Sequence, residues 1–339
     1  MYALITASDR TEDLLPLFAS LTDASRAQPG LRFILLADQS QQAQDLCNWA
    51  GLHPAVAGCV YLDRDGLTRP VWTPRGFKAR RAFRNWQKTQ PEIQLLIDPY
   101  GQPGTAALAR AFKHKSVGVS QRKKPSYKQL LAPVYNSQFP IPEELHAVQA
   151  VRVLFAAQFE YTLNDLTPDY GLPLAEPTEQ APTDLVLDLT NAPWSEDEKH
   201  ALEQRLESVA LTVDDLAANP PEDAAQWQER VSNGRYLLCA ANLTARLGAA
   251  LGKPGVCVCI KDQASLQGAI SSRLARQKMI NVDQPPMNEP AIITESIIQA
   301  MTKGEAKIVL PEEHAPQNDS ADADADTDVH AESVVEKNH

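Results

Sequence analysis

The chain has 339 residues, 43% of them hydrophobic, which is enough apolar material to fill a core in each of two ordinary domains. Its net charge of −11 is uneven: residues 311–339 hold nine Asp/Glu and one Lys, so the remaining 310 residues carry only −3. No apolar run reaches membrane-spanning length and "MYALITASDR" lacks the order of a secretory signal, which predicts a cytoplasmic protein.

In chain order, "YALITAS" reads as a strand, and apolar residues at 14, 15, 17, 18 and 21 predict a following helix. "LRFILLAD" and "PEIQLLIDPYG" are further strands, "GTAALARAF" a helix, "KSVGVS" a strand and "HAVQAVRVLFAAQF" a long amphipathic helix. The Pro- and acid-rich stretch that follows is the predicted linker. Beyond it come "LVLDLT" (strand), "SEDEKHALEQRLES" (helix with a Ser cap), "VALTV" (strand), "DAAQWQERVSN" (helix), "RYLLCAA" (strand), "LTARLGAALG" (helix), "GVCVCI" (strand) and "EPAIITESIIQAMTKG" (closing helix). Alternating strands and helices predict two α/β domains with parallel sheets, at 1–163 and 184–310, joined by a linker at 164–183 and followed by an unfolded acidic tail at 311–339. Open sheets of this kind bind ligands beyond the carboxyl ends of their strands.

The five cysteines contain no C-x-x-C pair, and reduced, buried thiols are expected, with no metal site. Positive charge clusters in the first half. Arg64, Arg69, Arg75, Lys78, Arg80, Arg81, Arg84 and Lys88 form one group; Arg110, Lys113, Lys115, Arg122, Lys123, Lys124 and Lys128 form another. Either group reads as a solvated helix face or as a cradle for phosphates and carboxylates. The acidic whole and the lack of interleaved aromatics argue against nucleic acid. Asp13, within "TED", is a good helix-start acid and equally a candidate base that the helix dipole keeps ionised.

Several blocks resemble glycosyltransferase family 9, most closely its lipopolysaccharide heptosyltransferase I branch: the Asp13 block, "LLIDPYGQPGTAALARAF", "PVYNSQFPIPEELHAVQAVRVLFAAQFEY" and "AALGKPGVCVC". The resemblance implies a GT-B fold, two Rossmann-like domains facing across a cleft, with a lipid-linked acceptor on the first and ADP-heptose on the second. It implies heptose transfer to Kdo-lipid A at the anionic inner membrane, inverting, with no metal or other cofactor. Asp13 falls on the catalytic base; Arg75, Lys78, Arg81, Arg122 and Lys123 would bind the acceptor; His146 falls on the start of the family's His-Ala-Val helix.

The chain departs from the family beside Asp13 and along the donor side. Glu12 stands in place of a Gly; the Asp-Thr-Gly-Leu-x-His motif falls on Ala241, Asn242, Leu243, Thr244, Ala245 and Arg246; a strand-end Gly falls on Ile260; and Ala192 and Pro193 precede Trp194, where the family has a cation. The stretch between "LVLDLT" and "LLCAAN" is also shorter by about a strand and a helix. Asn242, Arg246 and Lys253 are left as donor candidates. Two readings follow: a transferase rebuilt around these residues, or a catalytically degenerate pseudo-glycosyltransferase that binds or regulates in envelope assembly.

Overall fold

The computed structural model describes residues 1–7, 14–39, 41–90, 92–101, 103–120, 135–141, 145–164, 167–173, 183–209, 211–259, 277–281 and 290–303. The first domain is a six-stranded parallel sheet of order β3-β2-β1-β4-β5-β6, formed by β1 (Tyr2–Thr6), β2 (Arg32–Asp38), β3 (Val56–Leu62), β4 (Ile93–Asp98), β5 (Lys115–Ser120) and β6 (Ser137–Pro140). Its central strand β1 is buried along nearly its whole length, as a strand with helices on both faces must be. The second domain is a five-stranded parallel sheet of order β11-β10-β9-β7-β8, from β7 (Leu185–Asp188), β8 (Val213–Asp215), β9 (Tyr236–Ala240), β10 (Gly255–Cys259) and β11 (Gln277–Asn281).

The helices sort by face. α3 (Arg64–Thr68), α4 (Pro74–Thr89) and α5 (Pro103–Ala111) cover the outer face of the first sheet, with Phe83, Leu96 and Phe112 in the core between. α7 (Glu196–Ser208) and α10 (Pro290–Lys303) cover the outer face of the second, around Leu202, Leu238 and Ile297. The inner faces share a single core. α1 (Leu14–Ala27), α2 (Gln41–Ala50) and α6 (Ala147–Phe159) from the first domain meet α8 (Ala224–Asn233) and α9 (Leu243–Ala250) from the second, α1 on α9 and α2 on α8, with the Trp49 and Trp227 rings 6.0 Å apart. α1 and α6 are further tied by the Arg152 guanidinium donating to Asp23 at 2.7 Å. Arg152 is almost fully buried, so removing the Asp23 carboxylate would take away the counter-ion of a buried charge at a cost of about 3–5 kcal/mol.

Local signals set several boundaries. Ser195 and Glu198 form a capping box on α7, Asp223 caps α8, and the Nδ1 atom of His146 accepts the Val148 N–H at the start of α6. Five elements escaped the sequence pattern, α2, β3, α3, β6 and β11, and α4 was read only as a charged helix face. β3 is an edge strand with a mixed burial pattern; Gly51 and Pro54 interrupt its approach and Gly58 lies within it. The strand expected at "VALTV" meets the observed edge strand, Val213–Asp215, at Val213; Asp214 of that strand accepts from Arg230 and Asp215 from the Ala217 N–H.

The thiol expectation needs one correction. Cys47 of α2 and Cys59 of β3 are joined as a disulfide, their Cα atoms 6.0 Å apart, while Cys239 and Cys257 are buried free thiols. Loop closure over 12 residues lowers the entropy of the unfolded chain. Reduction is therefore expected to raise the titratable thiol count by two and to lower unfolding stability by about 3 kcal/mol, read as a shift in denaturant midpoint with and without a phosphine reductant.

His53 supplies a pH dependence. Its Nδ1 accepts the Ala55 N–H at 3.1 Å, so its ring proton sits on Nε2 and donates to Thr22 Oγ1 at 3.0 Å. Burial lowers its pKa from 6.5 to about 4, so the unfolded chain binds more protons than the folded one between these values. Its contribution is present above pH 6.5 and is lost as pH falls towards 4, amounting to about 3 kcal/mol. Denaturant unfolding of wild type and His53→Gln across this range should show the shallower slope in the variant.

Candidate functional site

Each sheet has one point where the strand order reverses, and there a crevice opens at the carboxyl edge. In the first sheet it lies between β1 and β4. β4 ends there in Asp98, fully buried, which accepts from Thr6 Oγ1 at 2.9 Å, from the Tyr135 hydroxyl, and from the backbone N–H groups of Tyr100 and Gly101. Burial and the Asp98 charge push the Tyr135 phenol well above its ordinary pKa, so it stays a donor. Gly118 allows this arrangement: a Cβ there would meet the Tyr135 ring at 2.6 Å. The family-like "LLIDPYG" block is thus the floor of the first crevice.

Asp13 lies outside the described residues; in the sequence it immediately precedes α1, which begins at Leu14. Arg64 joins the carboxyl ends of β1 and β2, donating from its guanidinium to the Ala7 carbonyl at 2.9 Å and from its backbone to Asp38.

Beside the crevice, at the ends of β2 and β3, α4 closes a cleft of about 610 Å³ whose lining includes Gln39, Tyr61, Asp63, Arg75, Lys78 and Trp86. The structure therefore brings Arg75 and Lys78 together. Their states differ. Arg75 binds both oxygens of Asp63 at 2.7 and 3.0 Å and also reaches Asp65 at 2.7 Å, which holds the Asp63 carboxyl below its usual range and raises the Arg75 guanidinium. Lys78 has no carboxylate partner among the described residues. Arg81 stands one turn further along α4, exposed and outside the cleft lining. Arg122 and Lys123 lie outside the described residues.

The reversal point of the second sheet lies between β7 and β9. β7 ends in Asp188, 4% exposed, and β9 leads through Ala241 and Asn242 into α9. Asn242 is the helix cap: its Oδ1 accepts the Ala245 N–H at 3.2 Å and its amide donates to the Asp188 carbonyl at 3.4 Å. The Asp188 carboxylate accepts a close hydrogen bond from the Thr244 hydroxyl, in the first turn of α9, and the Thr190 N–H at 3.1 Å. Thr244 in turn accepts the Trp227 indole N–H at 3.1 Å. The chain's own acid thus sits against the positive end of α9, where an anionic ligand would be received. Composition and periodicity had not singled out Asp188 or Thr244; an acid closing the "LVLDLT" strand was the available signal.

Arg246 is half-buried on the same helix, and its charge acts on the buried Tyr170 of the interdomain segment. Lys253 is placed elsewhere. It follows α9 at the amino edge of β10 and gives its ammonium to the carbonyls of Ser232 and Gly234, where burial lowers its pKa. That geometry leaves Asn242 and Arg246 as donor-side candidates. Ala192 and Trp194 are buried in the outer core, and Ile260 lies outside the described residues. Among the described residues, no group of three or more potential metal ligands occurs.

Comparison with known proteins fits this layout. No protein-family model matches the chain. Lipopolysaccharide heptosyltransferase 1 of Pseudomonas aeruginosa is 27% identical over 172 residues, covering 51% of this chain and 46% of that protein. The Escherichia coli K12 protein of the same name is 27% identical over 173 residues, covering 51% and 52%. The chain's matched part thus spans about half the length of these curated relatives. Among solved structures, the E. coli heptosyltransferase WaaC with ADP superposes with a TM-score of 0.70 at 20% identity, covering 89% of this chain and 99% of that one. E. coli ADP-heptose lps heptosyltransferase II superposes at 0.63 and 11% identity, covering 90% and 98%. Two parallel-sheet domains, each with one reversal point, superpose on these solved structures over about nine-tenths of the chain and give it a GT-B-type fold, while about half of its length is similar in sequence to the lipopolysaccharide heptosyltransferase 1 proteins.

Proposed function

We propose that the chain is a glycosyltransferase of the heptosyltransferase I type, moving heptose from ADP-heptose to the Kdo-lipid A inner core of lipopolysaccharide at the cytoplasmic face of the inner membrane. The observation that supports it most is the crevice between β1 and β4 beside a cleft lined by Arg75 and Lys78, with Asp13 falling in the sequence between β1 and α1. Asp13 takes the proton of the acceptor hydroxyl. The hydroxyl oxygen bonds to the anomeric carbon while the bond to the diphosphate oxygen breaks, its electrons leaving with ADP, and the sugar centre inverts. Lys78 and Arg81, with Arg75 and the sequence-adjacent Arg122 and Lys123, hold the anionic acceptor. Asn242 and Arg246 face the donor, a role made reasonable by the related structure that contains ADP.

Calorimetric titration with ADP and ADP-heptose, followed by a transfer assay on Kdo-lipid A, tests this reading. Saturable binding is expected, and Asp13→Ala should lower kcat by about 10²- to 10⁴-fold with donor affinity kept. Unchanged turnover in that variant removes Asp13 from the role of base.

One observation favours a second reading, a pseudo-glycosyltransferase that binds or regulates in envelope assembly. Asp188 places a carboxylate at the first turn of α9, where the family motif receives the donor, and at about 5 Å a like charge opposes a phosphate by about 3 kcal/mol in a semi-polar site. Asp188→Asn keeps the shape and removes the charge. Under this reading wild type fails to bind ADP and the variant binds at least roughly tenfold more tightly. Equal ADP affinity in the two proteins would take this support away.

A further inference from the structure

We propose that the turn at 70–73 and the outer stripe of α4 form a membrane-docking face that seats the first domain on an anionic lipid bilayer. This deepens the reading of a membrane-borne acceptor and rests on it for biological context; the physical argument is independent of catalysis. Among the described residues the exposed large hydrophobics are Met1, Tyr61, Val71, Trp72, Phe77 and Val213, so four of six fall between 61 and 77. Trp72 is 83% exposed, Phe77 57% and Val71 51%. A soluble protein rarely gathers such side chains without a partner.

The exposure is built rather than slack. Thr73 N–H donates to the Pro70 carbonyl at 3.1 Å, Gly76 N–H to Thr73 Oγ1 at 3.1 Å, and the Arg80 guanidinium to the carbonyls of Arg69 and Leu67 at 2.7 and 3.0 Å. Gly76 lets the turn close, because a Cβ there would strike the Pro70 carbonyl. The turn thus holds Val71 and Trp72 out at the head of α4.

Charge identifies the occupant. Residues 60–90 carry eight Arg/Lys against Asp63 and Asp65, a local +6 in a chain of −11. Charges beyond about 10 Å are screened at physiological salt, so this local excess governs what approaches the face. Phe77, Arg81, Arg84 and Lys88 recur at helical spacing on one exposed stripe, while Gly76, Ala79, Phe83 and Gln87 form the buried one. An aromatic tip followed by a row of cations suits the headgroup boundary of an anionic bilayer, where Trp and Phe enter the interface and Arg and Lys meet the lipid charge. The cleft lined by Arg75 and Lys78 sits next to this stripe, so docking brings it to the lipid surface.

The test is co-sedimentation of the full chain with phosphatidylcholine vesicles, with and without phosphatidylglycerol, in the absence of donor and acceptor. The full chain is expected on the anionic vesicles and not on the neutral ones. Trp72→Ala with Phe77→Ala should weaken partition at least roughly tenfold, and Arg84→Glu with Lys88→Glu should remove the preference for anionic lipid. Lys303→Glu, an exposed change on the second domain, should leave partition unchanged. All the substituted residues are exposed, and circular dichroism checks that each variant is folded. Failure of the full chain to sediment, or equal partition of wild type and the Trp72/Phe77 variant, overturns the docking face. Neither result touches the transferase reading, which stands or falls on ADP titration and turnover.

Discussion

A buried carboxylate at the carboxyl edge of each parallel sheet is the constraint around which both crevices are arranged. A charge taken out of water is tolerated only when hydrogen bonds replace its solvation, so the surroundings of Asp98 and Asp188 are spoken for. Asp98 draws in Thr6, Tyr135 and the turn at Gly101, and the need to place the Tyr135 ring makes position 118 a glycine. Asp188 draws in Thr244, which is itself bonded to Trp227, which packs on Trp49 of the other domain. The second crevice is therefore linked to the interdomain core by a continuous chain of contacts.

That link bears on chemistry. A helix N-terminus is attractive to a diphosphate because its backbone N–H groups are unpaired and partly positive. In α9 the Asn242 side chain takes one of those groups, and Asp188 supplies negative charge beside them. The first domain presents the opposite balance, since its outer helix gathers cations, and only Arg75 among the acceptor candidates described is matched by acids. The two halves thus stand differently towards an anionic ligand, the first attractive and the second already supplied with an internal anion.

Much of the fold was legible in the sequence because strands buried on both faces are continuous apolar runs, and helices with caps announce their starts. β1, β4, β7, β9 and β10 and the Ser195 cap follow from local pattern alone. The edge strands β3, β6 and β11 did not, because edge strands take their stability from a neighbour rather than from their own periodicity, and the helices α2 and α3 were missed as well. The Cys47–Cys59 bridge was hidden for a related reason: it joins a helix to an edge strand, and spacing carries no record of that approach.

The sequence by itself determined the class of each segment, the alternation that makes two parallel sheets, the cluster of positive charge before residue 90, and the replacement of the donor motif by Ala241 and Asn242. These are properties of residue type and order. Tertiary structure alone decided that Asp188 would lie against α9, that Arg75 would be bound by Asp63 and Asp65 while Lys78 stayed unpaired by them, that Lys253 would be held at the far edge of its sheet, and that Trp72 would stand exposed. Each depends on groups distant in sequence meeting at a few ångströms, where burial and charge pairing set what a side chain can still do.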